Sequence, residues 1–218
     1  MTSLFARLKS DCAKDWQAYT GHAFVRQMAD GSLPQAAFRD YLVQDYLFLI
    51  QFARAYALSI YKSRSLSEMQ HGLGGLKAIL EVEMDLHLRL CKKWGILALA
   101  LEAMPEKTAT IAYTRFVLDA GNASDLLDLY VALAPCMIGY GEIGAALAET
   151  ATDDNPYGEW INEYASEAYQ ALAAETIKHI DRLALELSSE ARYGKLKKLF
   201  SAACRLEADF WQMGLDAA

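Results

Sequence analysis

The chain has 218 residues, 54% of them apolar and 22% charged, which is the balance of a globular domain with a core of its own. Its formal net charge is −7 and its 21 lysines and arginines are scattered, which argues against a nucleic-acid partner. Charge interrupts the N-terminal residues too early for a signal peptide, and no uninterrupted apolar run of about eighteen residues follows. With four widely spaced cysteines, we expect a cytoplasmic protein with free thiols and no membrane segment.

Apolar residues recur at the three- and four-residue spacing of helices almost throughout, and the alternation typical of strands is missing. The sequence therefore predicts an all-α protein, a single-domain helical bundle over residues 1–218. Glycine, proline, asparagine and aspartate predict breaks at 30–34, 104–107, 119–122 and 152–156. Helices are predicted at about 4–19, 22–28, 34–62, 67–94, 110–118, 124–149, 166–187 and 189–213, with a short one that carries Trp160 and Tyr164.

The helix predicted over 34–62 places one carboxylate inside an aromatic stripe. Tyr41, Asp45, Phe48 and Phe52 follow one another at steps of four, three and four residues, which puts them on one helical face. A carboxylate among aromatic rings needs a partner for its charge. Asp45 is therefore a candidate functional residue.

Four polar residues in the next helix, Glu81, Glu83, Asp85 and His87, raise the question of a metal site. Di-metal bundles use a Glu-x-x-His pattern, whereas Glu83 and His87 are four residues apart and no second copy is present. We favour a solvated acidic face over a metal site. Three glycines, at 72, 74 and 75, are expected to loosen the first half of this helix.

The central helix contains an apolar stretch, 131–142, with one thiol, one phenol and one carboxylate. Pro135 directly precedes Cys136, and because proline lacks an amide hydrogen it belongs either in a first helical turn or at a kink. Either arrangement frees amide groups near Cys136, which favours its thiolate. Tyr140 lies four residues on, over the same face. The alternative is that Cys136 is a small buried apolar residue of the core.

The last helix holds Glu207 with Phe210 and Trp211 three and four residues later on its own face. If this face points inward, desolvation raises the pKa of Glu207 and makes it a proton donor near neutral pH. The alternative is that Glu207 lies at the helix edge, in water.

Four segments together resemble the TenA/thiaminase II family, in the same order and at similar intervals. They are YLVQDYLF at 41–48, LAPCMIGY at 133–140, WINEY at 160–164 and EADFW at 207–211. The resemblance implies a heme-oxygenase-like helical bundle, a homotetramer and no cofactor. It also implies a small-molecule substrate and a hydrolytic reaction. The enzyme would convert 4-amino-5-aminomethyl-2-methylpyrimidine to the 5-hydroxymethyl compound, or cleave thiamin into its pyrimidine and thiazole halves.

The same resemblance assigns roles to individual residues. Cys136 matches the nucleophile, and Glu207 matches the acid that protonates the pyrimidine ring. Asp45 matches the residue that holds the 4-amino group and a ring nitrogen. Substrate-binding side chains are matched by Tyr140, Tyr164, Tyr113 and Phe210.

Phe48 departs from the family pattern. The third residue after the family aspartate is commonly a tyrosine that makes the cysteine more nucleophilic, and phenylalanine cannot form that hydrogen bond. A second interpretation is therefore a binding protein that holds a thiamin-related pyrimidine without turning it over. A third is a metal-dependent oxidase on the same bundle, with ligands drawn from Glu83, His87, Glu163, His179 or Asp209.

Overall fold

The structure, a computed structural model, describes residues 3–218 and contains no strand within them, so the all-α prediction is confirmed. Two helical runs continue through π-helical turns, at Ala78–Glu83 and Pro135–Gly139. The α-helices are α1 (Leu4–Asp11), α2 (Ala13–Thr20), α3 (Ala23–Ala29), α4 (Gln35–Lys62), α5 (Leu66–Lys77), α6 (Met84–Lys93), α7 (Ala98–Leu101), α8 (Thr108–Ala123), α9 (Leu126–Ala134), α10 (Tyr140–Ala148), α11 (Gly158–Ala165), α12 (Glu167–Leu187) and α13 (Glu190–Leu215).

The first predicted helix is wrong in one respect, because it breaks at Cys12. The backbone of Cys12 leaves the helical region at φ −111° and ψ 23°, and α2 begins at the next residue. The Cys12 thiol reaches the carbonyl oxygen of Lys197 at 3.6 Å. The apolar face is nevertheless continuous across the break, since Leu8, Cys12 and Trp16 are all buried. Tertiary packing thus overrides the helical pattern at one residue.

The break predicted at 119–122 is also wrong, because α8 continues to Ala123. A Cβ on Gly121 would lie 2.8 Å from a methyl carbon of Leu58 and 3.0 Å from one of Leu129. The glycine therefore permits close packing inside a helix instead of ending it. The sequence predicts that Ser124 or Asp125 caps the next helix. The helix begins at Leu126, and Asp125 is the cap, since its Oδ1 accepts a hydrogen bond from the Leu127 amide at 3.0 Å.

The glycines expected to loosen the helix over 67–94 have a packing role as well. The Tyr56 ring occupies the space where a Gly75 side chain would begin, 2.1 Å from the ideal Cβ position. A Cβ on Gly72 would meet the Ser59 hydroxyl at 2.7 Å. Small residues here bring α5 close to α4, and the irregularity of this run is instead the π-helical turn.

The chain forms two compact units. The first takes in the described residues up to Leu33 together with Tyr130–Gln212. Within it, α10 packs on α11, α1 packs on α12, and the turn Pro135–Gly139 also contacts α12. The side-chain amide of Asn155 donates to the carbonyl oxygens of Met28 and Ala29, both at 3.0 Å, which holds the loop before α11 against the end of α3.

The second unit comprises Pro34–Leu129 and Met213–Ala218. Its organising element is α4, against which α5, α6 and α8 pack. Buried aromatic side chains follow one another along α4, including Tyr41, Phe48 and Phe52. This is the stripe that the sequence predicts.

Among residues 3–218, one helical run, Leu126–Ala148, is long and apolar enough to cross a membrane by length and composition alone. Its most apolar window has a mean hydropathy of 1.5, and 72% of that window is buried inside the protein. Asp128 and Glu142 interrupt its apolar sequence. Burial of this extent is the pattern of a core helix.

Candidate functional site

In the first unit, Cys136 lies in the π-helical turn Pro135–Gly139, between α9 and α10. Pro135 could lie in a first helical turn or at a kink. In the structure it lies at an irregular turn inside a continuous helical run. Proline has no amide hydrogen to donate to the preceding turn, so the regular hydrogen-bond ladder is interrupted where the π turn begins. Single π turns inside α-helices occur frequently at functional sites. The Cys136 side chain is buried, with 9% of its surface exposed.

Tyr19 from α2 supports this turn. Its hydroxyl donates to the carbonyl oxygen of Pro135 at 3.3 Å. The ring fits against Gly139, where an added Cβ would lie 2.4 Å from Tyr19 Cε1. Tyr19 thus contacts the turn on both sides of Cys136 in sequence. Tyr19 could not be predicted from sequence, because nothing local to 131–142 indicates a contact with a tyrosine more than a hundred positions earlier.

Tyr140 and Tyr164 are brought together by α10 and α11. Their ring centroids lie 5.1 Å apart at an interplanar angle of 59°. Gly144 makes this possible, since a Cβ there would be 2.6 Å from the backbone carbonyl carbon of Tyr164. Trp160 and Trp211 complete the cluster around Tyr140, at 5.8 and 5.3 Å between centroids. The first unit therefore carries a buried aromatic surface that includes both predicted phenols.

Glu207 points inward from α13, with 1% of its surface exposed, so the alternative of a solvated helix edge is wrong. Phe210, three residues later, is buried as well. The pKa of the neighbouring Cys204 thiol is raised, by burial and then by the Glu207 carboxylate. A raised pKa keeps Cys204 protonated and unreactive.

In the second unit, Asp45 has the partners that its position in an aromatic stripe requires. The hydroxyl of Tyr41 donates to Asp45 Oδ2 at 2.9 Å, and His87 Nε2 lies 2.5 Å from the same oxygen. The other ring nitrogen, His87 Nδ1, lies 3.0 Å from the carbonyl oxygen of Glu83. Burial lowers the pKa of His87, and the Asp45 carboxylate with its hydrogen bond outweighs that effect, so the pKa is raised overall.

This arrangement corrects the prediction of a solvated acidic face at 81–87. Glu81 and Asp85 are exposed, but Glu83 and His87 are buried, the latter completely. The sequence pattern mixes two faces of one helical run, and the π-helical turn at Ala78–Glu83 changes the angular spacing between them. Within residues 3–218, no group of three or more His, Cys, Asp or Glu side chains is arranged to hold a metal ion. The oxidase interpretation therefore has no ligand set in the described part of the chain.

Phe48 and Tyr113 meet in the second unit. Their ring centroids are 5.1 Å apart, and Phe48 also stacks on Phe52 at 5.2 Å. Both side chains are buried. The structure thus places α4 and α8 so that one predicted substrate-binding tyrosine lies against the phenylalanine that departs from the family pattern.

Gln44 positions the start of α8, and it too could not be predicted from sequence. Its side-chain oxygen accepts hydrogen bonds from the Lys107 amide at 2.9 Å and the Thr110 hydroxyl at 2.7 Å. Its amide group donates to the carbonyl oxygen of Pro105 at 3.1 Å. Gln44 is almost fully buried next to Asp45 in sequence. Its burial and its contacts are visible only in the structure.

Known proteins of similar sequence identify the family of this chain. The profile of the TENA/THI-4/PQQC family matches residues 10–217. The chain belongs to this family. An aminopyrimidine aminohydrolase from Halalkalibacterium halodurans is 40% identical over 213 residues, which are 97% of this chain and 95% of that protein.

Solved structures of TenA proteins share the fold. The crystal structure of a TenA family transcription regulator from Silicibacter sp. TM1040 is 45% identical, with a TM-score of 0.92 over 97% of this chain and 96% of that one. A TenA homologue from P. horikoshii OT3 is 26% identical, with a TM-score of 0.90 over 100% of both chains. The family resemblance and the all-helical architecture predicted from sequence are confirmed.

Proposed function

We propose that this TenA family chain is an aminopyrimidine hydrolase of thiamin salvage. It converts 4-amino-5-aminomethyl-2-methylpyrimidine and water to the 5-hydroxymethyl pyrimidine and ammonia, and it also cleaves thiamin into its pyrimidine and thiazole halves. The observation that carries the proposal is the 40% identity to an aminopyrimidine aminohydrolase over 97% of this chain. The residue types that this reaction needs are present and buried: a thiol, a carboxylic acid and an anchored carboxylate.

Cys136 is the nucleophile in this proposal. Direct displacement of the amine from the exocyclic CH2 is difficult, so the thiolate first adds to a ring carbon while a ring nitrogen takes up a proton. The ring electrons then expel the aminomethyl nitrogen, which leaves as ammonia from its protonated ammonium form, and an exocyclic methylene remains. Water adds to this carbon and releases its surplus proton to solvent, which balances the proton that the ammonium group brought. Release of the thiolate restores the aromatic ring and completes the exchange of an amino group for a hydroxyl group. The π-helical turn and the Tyr19 contact support the assignment, because they give Cys136 a fixed and irregular backbone.

Glu207 is the proton donor. A carboxyl group removed from water favours its neutral form, and Glu207 is almost completely buried. In the proposed reaction it gives its proton to the ring nitrogen as the thiolate adds and recovers it as the thiolate leaves. One group thus serves as acid and then as base within each turnover.

Asp45 holds the aminopyrimidine, through its 4-amino group and a ring nitrogen. Fixed orientation of the ring accelerates addition, because reacting atoms held near contact distance avoid most of the entropic cost of meeting. Flat aromatic side chains suit a flat heteroaromatic ligand. We assign substrate contacts to Tyr140, Tyr164, Phe210, Tyr113 and Phe48, as the family resemblance implies.

A second candidate function is non-catalytic binding of a thiamin-related pyrimidine. Phe48 favours it, because the hydroxyl that the family commonly presents at this position is absent. Turnover separates the two functions, since both require binding. A role in direct DNA binding is disfavoured by the net charge of −7.

We also propose that the chain is cytoplasmic and assembles as a homotetramer, as the family resemblance implies. Apolar side chains exposed along α5, the following π-helical turn and α6 support self-association. These residues are Leu66, Met69, Leu73, Leu80, Val82 and Leu88. Exposed apolar surface of this kind commonly marks a protein interface. Sedimentation equilibrium gives the subunit number directly, and a monomer at micromolar concentration would contradict this assignment.

The test of the proposed function is hydrolysis of 4-amino-5-aminomethyl-2-methylpyrimidine, followed by product chromatography, with thiamin as a second substrate. Wild type is compared with Cys136→Ala and with Cys12→Ala as the matched cysteine control. We expect the hydroxymethyl product from wild type and Cys12→Ala and none from Cys136→Ala. If wild type binds the pyrimidine without forming product, the binding function replaces the catalytic one. The ratio of the two substrates decides between salvage and thiamin degradation.

A further inference from the structure

We propose that His87 is a positioning residue that holds Asp45 as an anion with one oxygen directed to the ligand, and that it thereby selects a 4-amino over a 4-oxo pyrimidine. This inference rests on the proposed function, because it concerns the residue assigned to hold the ring. From the sequence, His87 was a candidate only for a metal ligand or a solvated side chain.

The hydrogen bonds of His87 fix its tautomer. The carbonyl oxygen of Glu83, 3.0 Å from Nδ1, can only accept, so Nδ1 carries a hydrogen. Nε2 faces Asp45 Oδ2 at 2.5 Å, a distance at which two lone pairs would repel each other. One proton therefore lies between the imidazole and the carboxylate. The His87 side chain is fully buried and that of Asp45 nearly so, which shields the pair from water.

The groups around the pair favour an imidazolium and a carboxylate. The pKa of His87 is raised by Asp45 against the opposing effect of burial. Tyr41 of α4 donates to Asp45 and so stabilises its charged form. Cys91, one helical turn after His87, has its pKa raised to about 11 by burial and by Asp45, so it stays a neutral thiol. The Glu83 side chain, which also raises the pKa of His87, is the remaining titratable group that acts on it.

Both hydrogen bonds that the described residues make with the Asp45 carboxylate reach Oδ2. This leaves Oδ1 as the oxygen for a ligand. An anionic Oδ1 can only accept a hydrogen bond. Set against the 4-position of the ring, it therefore suits an amino group, which donates, and it repels an oxo group, which presents lone pairs. The neighbouring ring nitrogen is itself an acceptor, so Asp45 holds that nitrogen only when the nitrogen carries a proton. Without His87, Oδ2 loses its charged partner, and the carboxylate is no longer held with Oδ1 toward the ring.

Two substitutions separate the charge of His87 from its hydrogen bonds. In His87→Gln, the side-chain amide can still donate to Asp45 but carries no charge. In His87→Asn, the shorter amide can reach the Glu83 carbonyl and loses the contact with Asp45. Tyr41→Phe is the matched control, because it removes the other hydrogen bond to the same oxygen and leaves the imidazolium in place.

The experiment measures affinity by calorimetry for 4-amino-5-hydroxymethyl-2-methylpyrimidine and for its 4-oxo analogue, with hydrolysis kinetics in parallel. We expect Tyr41→Phe to keep most of the wild-type preference for the amino ligand, because the imidazolium stays beside Asp45, even if this variant binds both ligands less tightly. For both His87 variants we expect this ratio to fall by about tenfold or more, as loss of a charged hydrogen bond predicts. We also expect KM for the amino substrate to rise more than kcat falls.

The outcomes distinguish the two proposals. If wild type neither binds nor hydrolyses the amino pyrimidine, the proposed function fails and this inference fails with it. If wild type does both, and either folded His87 variant keeps the wild-type ratio, His87 has only a structural role and this inference alone is overturned. His87→Gln conserves size and a donor, so it serves as the folded variant should His87→Asn unfold, as checked by circular dichroism.

Discussion

Tyr19 donates its hydroxyl to the carbonyl oxygen of Pro135, the residue immediately before Cys136. This bond joins α2 to the π-helical turn that carries the proposed nucleophile. Tyr19 lies on α2, and a change to its hydroxyl leaves every side chain of the turn itself unaltered. A substitution of Tyr19 therefore tests the backbone of the turn separately from the side-chain chemistry of Cys136.

Tyr19→Phe should reduce the rate of hydrolysis while costing about 1 kcal/mol of folding stability, the usual contribution of one hydrogen bond. The ring remains against Gly139, so packing is conserved. The substitution removes only the hydrogen bond that the Pro135 carbonyl oxygen accepts from Tyr19. Steady-state kinetics and urea unfolding measure the two effects. Wild-type kcat in this variant would show that the hydrogen bond does not matter for the Cys136 turn.

Gly139→Ala should destabilise the protein by about 1–3 kcal/mol, the range for overpacking a core. The added Cβ would lie 2.4 Å from Tyr19 Cε1, and the Tyr19 ring is itself held between other aromatic rings. Gly158→Ala is a suitable control, because a Cβ there meets nothing within 4 Å. Chemical denaturation of both variants checks the prediction, which equal midpoints would contradict.

Alkylation should distinguish Cys136 from the other three cysteines. Burial raises the pKa of Cys12 and Cys204 and raises that of Cys91 to about 11, so these thiols carry little thiolate near neutral pH. We expect iodoacetamide at pH 7.5 to modify the peptide that contains Cys136 first, with loss of activity in parallel. Peptide mass spectrometry over time gives the order. Modification of Cys12 ahead of Cys136 would argue against an activated nucleophile.

Phe48→Tyr should leave hydrolysis unchanged or increase it, because it restores the hydroxyl common in the family. The new hydroxyl adds to a side chain already packed on Tyr113 and Phe52. Phe52→Tyr adds the same group one helical turn later and serves as the control. Turnover numbers are compared for the two variants. A large loss in a well-folded Phe48→Tyr protein would contradict the role assigned to position 48.

The His87–Asp45 pair should make stability depend on pH. Since the pKa of His87 is raised in the folded protein, the folded state binds this proton more tightly than the unfolded state. The stabilisation is complete below the unfolded value of about 6.5 and is lost as pH rises through the folded value. Free energies of unfolding at pH 6 to 9 should therefore fall more steeply for wild type than for His87→Asn. Parallel curves would show that His87 does not keep its proton.

Helical periodicity predicted the fold well because the core faces of long helices repeat over many residues. It failed at single residues, at Cys12, where the helix breaks, and at Gly121, which packs against Leu58 inside a helix. The inward orientation of Glu207 was one of two alternatives in the sequence and is now observed. The partners of Asp45 were not predictable, since His87 is 42 residues away and a π-helical turn shifts the face on which it lies. Which residues catalyse and which bind substrate stays a prediction.

The contact at Gly144 has a consequence for how this protein can change. Because Gly144 lets α10 approach the backbone of Tyr164 and Ala165 on α11, the spacing of the two helices at this point is set by the glycine. Either phenol can be replaced by another flat side chain without moving its helix. The composition of this aromatic surface can thus change, by natural drift or in the laboratory, while the spacing of α10 and α11 stays constant. Gly144 itself cannot take a larger side chain without a shift of α10 relative to α11, because a Cβ there would lie 2.6 Å from Tyr164.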